Sequence, residues 1–186
     1  MRRPFVVFDR DGTLIDHVHH LADPELVIFK PDLINSLEKL TRGGLSIGIV
    51  TNQSVVGRGL ATREQVNQVN DKVRDYLRKF DLKVDFILVC PHTPDDFCEC
   101  RKPNIELGNL AIKEFGLDPS SSYFVGDQES DVLFGKRLGI KVVQVKGNAN
   151  PSPLADYYTD NLNLAAEWIL GDFIGGSRNV NNQETI

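Results

Sequence analysis

The stretch "VVFDRDGTLI", Val6–Ile15, decides the fold: an apolar run with no polar alternation stops at two carboxylates, Asp9 and Asp11, followed by Gly12. A run that is apolar at every position has no solvated face, so it reads as a central strand of a parallel sheet. Open α/β sheets bind ligands at the carboxyl ends of their strands, so a strand that ends in charge points to a site.

Four more strands are predicted outward from it by the apolar runs Leu45–Val50, Val84–Val89, Tyr123–Val125 and Lys141–Val145. Helical patterns lie between them. Leu33, Ile34, Leu37 and Leu40 follow Pro31, and Val66, Val69, Val73, Tyr76, Leu77 and Phe80 recur at three-and-four spacing behind a capping box of Thr62 and Gln65. Two further helices are expected over about 105–115 and about 130–138, each closed by a glycine, Gly116 or Gly139. This alternation predicts an α/β fold, a three-layer α/β sandwich around a central, mostly parallel sheet.

The 186 residues, 41% hydrophobic and 25% charged, suit one soluble globular domain, expected over residues 1–174. Residues 175–186, rich in Gly, Ser, Asn and Gln, are expected to form a disordered tail. A net charge of −5 argues against nucleic acid as the main partner. No apolar run reaches the length of a membrane span, and Phe5–Phe8 is too short for the core of a signal peptide. The expectation is a cytoplasmic monomer that engages neither membrane nor nucleic acid.

The early strands all end in polar clusters: Asp9-Arg10-Asp11-Gly12-Thr13, Thr51-Asn52-Gln53-Ser54, Cys90-Pro91-His92, and Gly126-Asp127 with Asp131 beyond. A calcium loop counted from Asp9 fails, because Leu14 falls where its glycine belongs and His20 where its bidentate Glu belongs. Three or four carboxylates crowded at one sheet edge need a cation, and a hard one with oxygen ligands, Mg2+ first, suits phosphate chemistry. One aspartate can then attack phosphorus, and a second carboxyl two residues on can serve the leaving group's proton. The reading is Asp9 as nucleophile and Asp11 as general acid and base. Thr51 and the Asn52 region would offer a hydroxyl and N–H groups to phosphoryl oxygens, and Lys102 would neutralise charge spreading over them.

In this order "DRDGT", "TNQS", "CRKP" (Cys100–Pro103) and "VGDxxxD" (Val125–Asp131) resemble the four motifs of haloacid-dehalogenase-like phosphatases, over roughly Phe5 to Val145. The resemblance implies Asp9 as nucleophile, Asp11 as acid and base, and Thr51 and Lys102 as phosphate holders. It implies Mg2+ held by Asp9, the Asp11 carbonyl and Asp127, with Asp131 in an outer position.

Cys90-Pro-His92, five residues, then Cys98-Glu-Cys100 supplies three thiolates and an imidazole within eleven residues, enough for a closed, structural Zn2+ site. Buried cysteines or a redox switch are the rival readings. Such a zinc would place Arg101 and Lys102. Within the superfamily, this loop narrows the resemblance to the branch of histidinol-phosphate and D-glycero-D-manno-heptose 1,7-bisphosphate phosphatases, small enzymes without a large cap domain.

A bisphosphate needs cations for its second phosphate, whereas histidinol phosphate needs acceptors for its amine and imidazole. Arg58 in "TNQSVVGRG" and Arg101 therefore favour the sugar bisphosphate, with Thr51, Asn52, Gln53, Ser54, Arg58, Arg101 and Lys102 expected to bind substrate. "TNQSVVGRG" and "DHVHHL" are similar to the heptose phosphatase pattern, with Val55 where a glycine is usual. The five-residue spacer between His92 and Cys98 resembles the histidinol phosphatase loop instead. A non-catalytic zinc-stabilised phosphate-binding module is a third reading, opposed by intact Asp9, Asp11 and Asp127. His17, His19 and His20 are expected near the site and read as solvated loop residues.

Overall fold

The computed structural model describes residues 2–181. Its elements are β1 (Phe5–Phe8), α1 (Leu33–Arg42), β2 (Ser46–Asn52), α2 (Ser54–Gly57), α3 (Arg63–Arg78), β3 (Val84–Cys90), α4 (Glu106–Phe115), β4 (Tyr123–Gly126), α5 (Glu129–Leu138), β5 (Lys141–Val145), β6 (Tyr157–Thr159) and α6 (Leu162–Asn181). The strands form one parallel sheet in the order β3-β2-β1-β4-β5-β6. The order reverses between β1 and β4, which opens a crevice at their carboxyl ends.

The pleat of β1 explains the layers. Val6 and Phe8 face a core built from α1, α3 and α6, including Leu37, Val73 and Ile169. Phe5 and Val7 face a second core built from α4 and α5, including Ala111 and Phe134. Both faces of the strand are therefore covered, as its unbroken apolar sequence requires.

The expected helices form, and Thr62 and Gln65 exchange the two hydrogen bonds of a capping box at the start of α3. Gly116 and Gly139 end α4 and α5 in the left-handed region. Three elements go beyond the sequence reading: α2, the three-residue edge strand β6, and α6. Helix α6 continues through Gly175 to Asn181, into the segment expected to be a disordered tail, and the rest of that segment, 182–186, lies outside the described residues. Among the described residues no helix is long and apolar enough to cross a membrane.

Candidate active site

Asp9 leaves β1 with its N–H bonded to the Val125 carbonyl of β4 at 2.9 Å, which sets the first carboxylate beside the end of the neighbouring strand. Asp9, Asp127 and Asp131 are all buried, and their carboxylate oxygens lie within 4.8 Å of one another. Gly12 makes this approach possible. Its φ is +87°, and a Cβ there would meet the Asp127 carboxylate at 2.6 Å.

Lys102 reaches into this cluster with only 3% of its surface exposed. Its Nζ donates to Asp9 Oδ1, Asp131 Oδ1 and the Val50 carbonyl, each at 2.7 Å. All three ammonium hydrogens are thereby engaged. The residue expected to hold phosphate is placed as a bridge between two carboxylates, with its charge beside Asp9.

Burial raises Asp9 to about 7, helped by Asp131 and Asp11 and opposed by Lys102. Burial, then Asp131, also raises Asp127, and its Oδ1 is buried without a hydrogen-bond partner among the described residues. An oxygen-only donor set, an orphaned carboxylate oxygen and unrelieved like charge fit a hard divalent cation such as Mg2+. Asp131 fits an outer position, since Oδ1 takes Lys102 and Oδ2 accepts the Gln128 N–H at 3.0 Å.

The folded state raises Asp9 above its ordinary 3.8, so between that value and about 7 it binds a proton that the unfolded chain releases. This term destabilises the folded protein above that window and fades as pH falls through it. In Mg2+-free buffer the melting temperature should therefore rise from about pH 8 to about pH 6, and saturating Mg2+ should flatten the rise. A Mg2+-free melting temperature that does not change over that range would contradict the crowding.

Asp11 is absent from this cluster. Its Oδ2 accepts from Gln53 Nε2 at 2.6 Å and from Arg10 Nη2 at 2.9 Å, and Gln53 also donates to Thr51 Oγ1 at 2.9 Å. Asn52 turns its side chain to the backbone of Lys102: Nδ2 donates to the Lys102 carbonyl at 3.1 Å, and the Lys102 N–H donates to Oδ1 at 3.0 Å. The side chains of Asn52 and Gln53, both expected to touch substrate, are thus spent on holding Lys102 and Asp11.

A cleft of about 740 Å3 opens over these groups, and Ser54, Arg58 and Arg101 line it with Thr51 and Lys102. Val55, despite the usual glycine, is buried in α2 and does not have positive φ. The loop carrying His17, His19 and His20 lines the same cleft, its base closed by Asp16 N–H to the Ile28 carbonyl at 2.8 Å and Lys30 N–H to the Leu14 carbonyl at 3.0 Å. The His19 and His20 rings lie 3.7 Å apart, tilted by 39°, and His20 sits at φ +54°. Gln128, Ser130 and Asn148 also line the cleft and were not singled out from the sequence.

At the end of β3, Cys90, His92, Cys98 and Cys100 converge. The three sulfurs stand 3.4 to 3.6 Å apart, and His92 Nδ1 lies 3.2 Å from Cys100 and 3.7 Å from Cys90. Four donors about 2.3 Å from a shared centre in a tetrahedron stand about 3.8 Å apart, so the cluster fits a closed zinc site. Burial, then Cys90 and Cys98, push the Cys100 thiol up, as expected of thiols crowded without a cation. Arg101 donates to the His92 carbonyl at 3.2 Å, which ties it to the loop.

A family model described as "Polynucleotide kinase 3 phosphatase" matches residues 4–150. The chain is 36% identical over 131 residues to a "Probable D-glycero-D-manno-heptose-1,7-bisphosphate 7-phosphatase" of Thermoplasma volcanium, covering 70% of this chain and 90% of that protein. It is 33% identical over 147 residues to "Histidine biosynthesis bifunctional protein HisB" of Actinobacillus pleuropneumoniae, covering 77% of this chain and 40% of that protein. The crystal structure of D,D-heptose 1,7-bisphosphate phosphatase from B. bronchiseptica, complexed with magnesium and phosphate, aligns with a TM-score of 0.82 at 26% identity, over 91% of this chain and 99% of that one.

Proposed function

The chain belongs to the haloacid-dehalogenase-like phosphatases, in the branch of the heptose 1,7-bisphosphate and histidinol-phosphate phosphatases, and from that premise we propose that it removes the 7-phosphate of D-glycero-D-manno-heptose 1,7-bisphosphate. The observation that carries this reading is the pair Arg58 and Arg101, which line the same cleft as Asp9. Two guanidinium groups beyond the reacting carboxylate suit a substrate with a second phosphate.

In the proposed reaction Asp9 attacks phosphorus, and the ester P–O bond breaks as the Asp9–phosphorus bond forms. Asp11 gives its proton to the departing alkoxide. It then takes a proton from the water that attacks the aspartyl phosphate, which releases inorganic phosphate and restores Asp9. Lys102 keeps a positive charge beside Asp9: burial alone would lower it, but Asp131 and Asp9 hold it above its ordinary range. Mg2+, held by Asp9, Asp127 and the Asp11 carbonyl, would supply charge to offset that gathering on the phosphoryl oxygens. Thr51, Ser54 and the backbone at Asn52 would orient the phosphoryl group. Zn2+, held by Cys90, His92, Cys98 and Cys100, would be structural, because all four positions come from protein.

Histidinol phosphate is the second reading, favoured by the five-residue spacer between His92 and Cys98 and by the similarity to the histidine-biosynthesis protein. Comparing kcat/KM on the two substrates decides between them, and a clear preference for histidinol phosphate would overturn the ranking. Arg58→Glu should lower kcat/KM for the bisphosphate by about ten- to a hundredfold and leave a heptose 7-phosphate much less affected. Equal losses on both would remove Arg58 from recognition of the second phosphate.

A further inference from the structure

Arg10, the residue between the two motif aspartates, has no exposed surface and is among the largest fully buried side chains of the molecule. A buried guanidinium is costly unless its charge and its donors are matched. Here Nη1 donates to Asn70 Oδ1 of α3 at 2.8 Å, while Nε and Nη2 face Asp11. Asn70 is itself buried, at 4% exposure, and interrupts the apolar stripe that α3 turns to the sheet. A polar residue in that stripe costs packing, and the Arg10 contact is the hydrogen bond that offsets it.

The bonds onto Asp11 are unequal. Oδ2 accepts from three donors: Gln53 Nε2 at 2.6 Å, Arg10 Nη2 at 2.9 Å and Arg10 Nε at 3.2 Å. Among the described residues, Oδ1 receives only the outer reach of Nη2, at 3.2 Å. A carboxyl group carries its proton on the oxygen with lone pairs to spare.

We infer that Arg10, braced from behind by Asn70, is a positioning residue that turns Asp11 so that Oδ1 is the oxygen that exchanges a proton with the leaving group. Helix α3 thereby takes part in catalysis from outside the cleft, through a contact between residues sixty positions apart. The inference rests on the acid and base role proposed for Asp11, and its test keeps the two separable.

An alkyl phosphate needs its leaving oxygen protonated, whereas p-nitrophenyl phosphate releases an anion that is stable near neutral pH. The ratio of kcat/KM on the alkyl substrate to that on the aryl substrate therefore reports proton delivery and is blind to general damage. Asn70→Leu should lower this ratio by about tenfold or more, and Asn70→Asp, which keeps an acceptor for Arg10, should hold it near the parent value. If Asn70→Leu does not fold, Asn70→Ala and Arg10→Lys are read in its place. Asp11→Asn is the reference and should lower the ratio further still. Equal loss on both substrates in the Asn70 and Arg10 variants, with Asp11→Asn still splitting them, overturns the positioning role alone. A ratio unchanged in Asp11→Asn removes the acid and base role, and the inference with it.

Discussion

Asp9→Asn is expected to reduce kcat/KM on every phosphomonoester by roughly four orders of magnitude or more while leaving the fold intact. A carboxamide oxygen is too poor a nucleophile to displace an alkoxide from phosphorus. The remaining machinery cannot substitute, because Asp11 is tied to Arg10 and Gln53, and Asp131 to Lys102 and the Gln128 N–H. The fold should survive because Lys102 keeps Asp131 and the Val50 carbonyl as partners, and because one of three crowded carboxylates is removed. Thermal melting alongside the kinetics separates chemical loss from unfolding. Activity undiminished in the variant would falsify the nucleophile assignment and return the non-catalytic phosphate-binding reading to contention.

The second large effect is expected from Cys98→Ser. Metal analysis of protein purified without added metal should return close to one zinc per chain for the parent and essentially none for the variant. The melting temperature should fall by about 10 °C. The size follows from what the loop lacks: from Pro91 to Arg101 no residue is buried, and the side chains that pack against the second core there, Cys98 and Cys100, are themselves metal ligands in the proposal. Activity should fall too, because the loop leads directly into Lys102, whose backbone is otherwise held by the Asn52 side chain. A zinc-free parent of full stability would defeat the structural-zinc proposal.

How much of this was legible beforehand depends on where each residue's partners lie. Strands β1 to β5 each carry a short apolar run, clearest in β1, which is buried on both faces, and the glycine that ends each of α4 and α5 marks its boundary locally. Strand β6 carries none: three residues on the sheet edge, with Tyr158 exposed, are too few for a period to emerge. Helix α6 carries a weak local signal, because its apolar residues Leu162, Ala165, Ala166 and Ile169 follow a segment rich in Pro, Asp and Asn, and its end is poor in strong helix formers.

At the site, Asp9 and Asp127 are legible because each directly follows a strand, Asp131 lies in the first turn of the helix after β4, and the topology brings the strand ends together. The direction of the amide side chains is not. Asn52 and Gln53 stand where phosphate-binding residues belong, and only the fold shows them turning to Lys102 and Asp11. Arg10 had a usable signal: a charged residue at the end of a buried strand, between two outward carboxylates, alternates toward the core and needs a buried acceptor. Asn70, the polar interruption in the stripe of Val66, Val69, Val73 and Leu77, was the candidate acceptor.

Covalent capture on Asp9 tests the central claim most directly. Enzyme in excess over radiophosphorus-labelled substrate, quenched in acid within a single turnover and digested, should yield one labelled peptide, containing Asp9, that loses its label to hydroxylamine as an acyl phosphate does. The same experiment on Asp9→Asn should yield none. Label on another residue, or product formed at full rate with no labelled peptide at any time, would contradict the account.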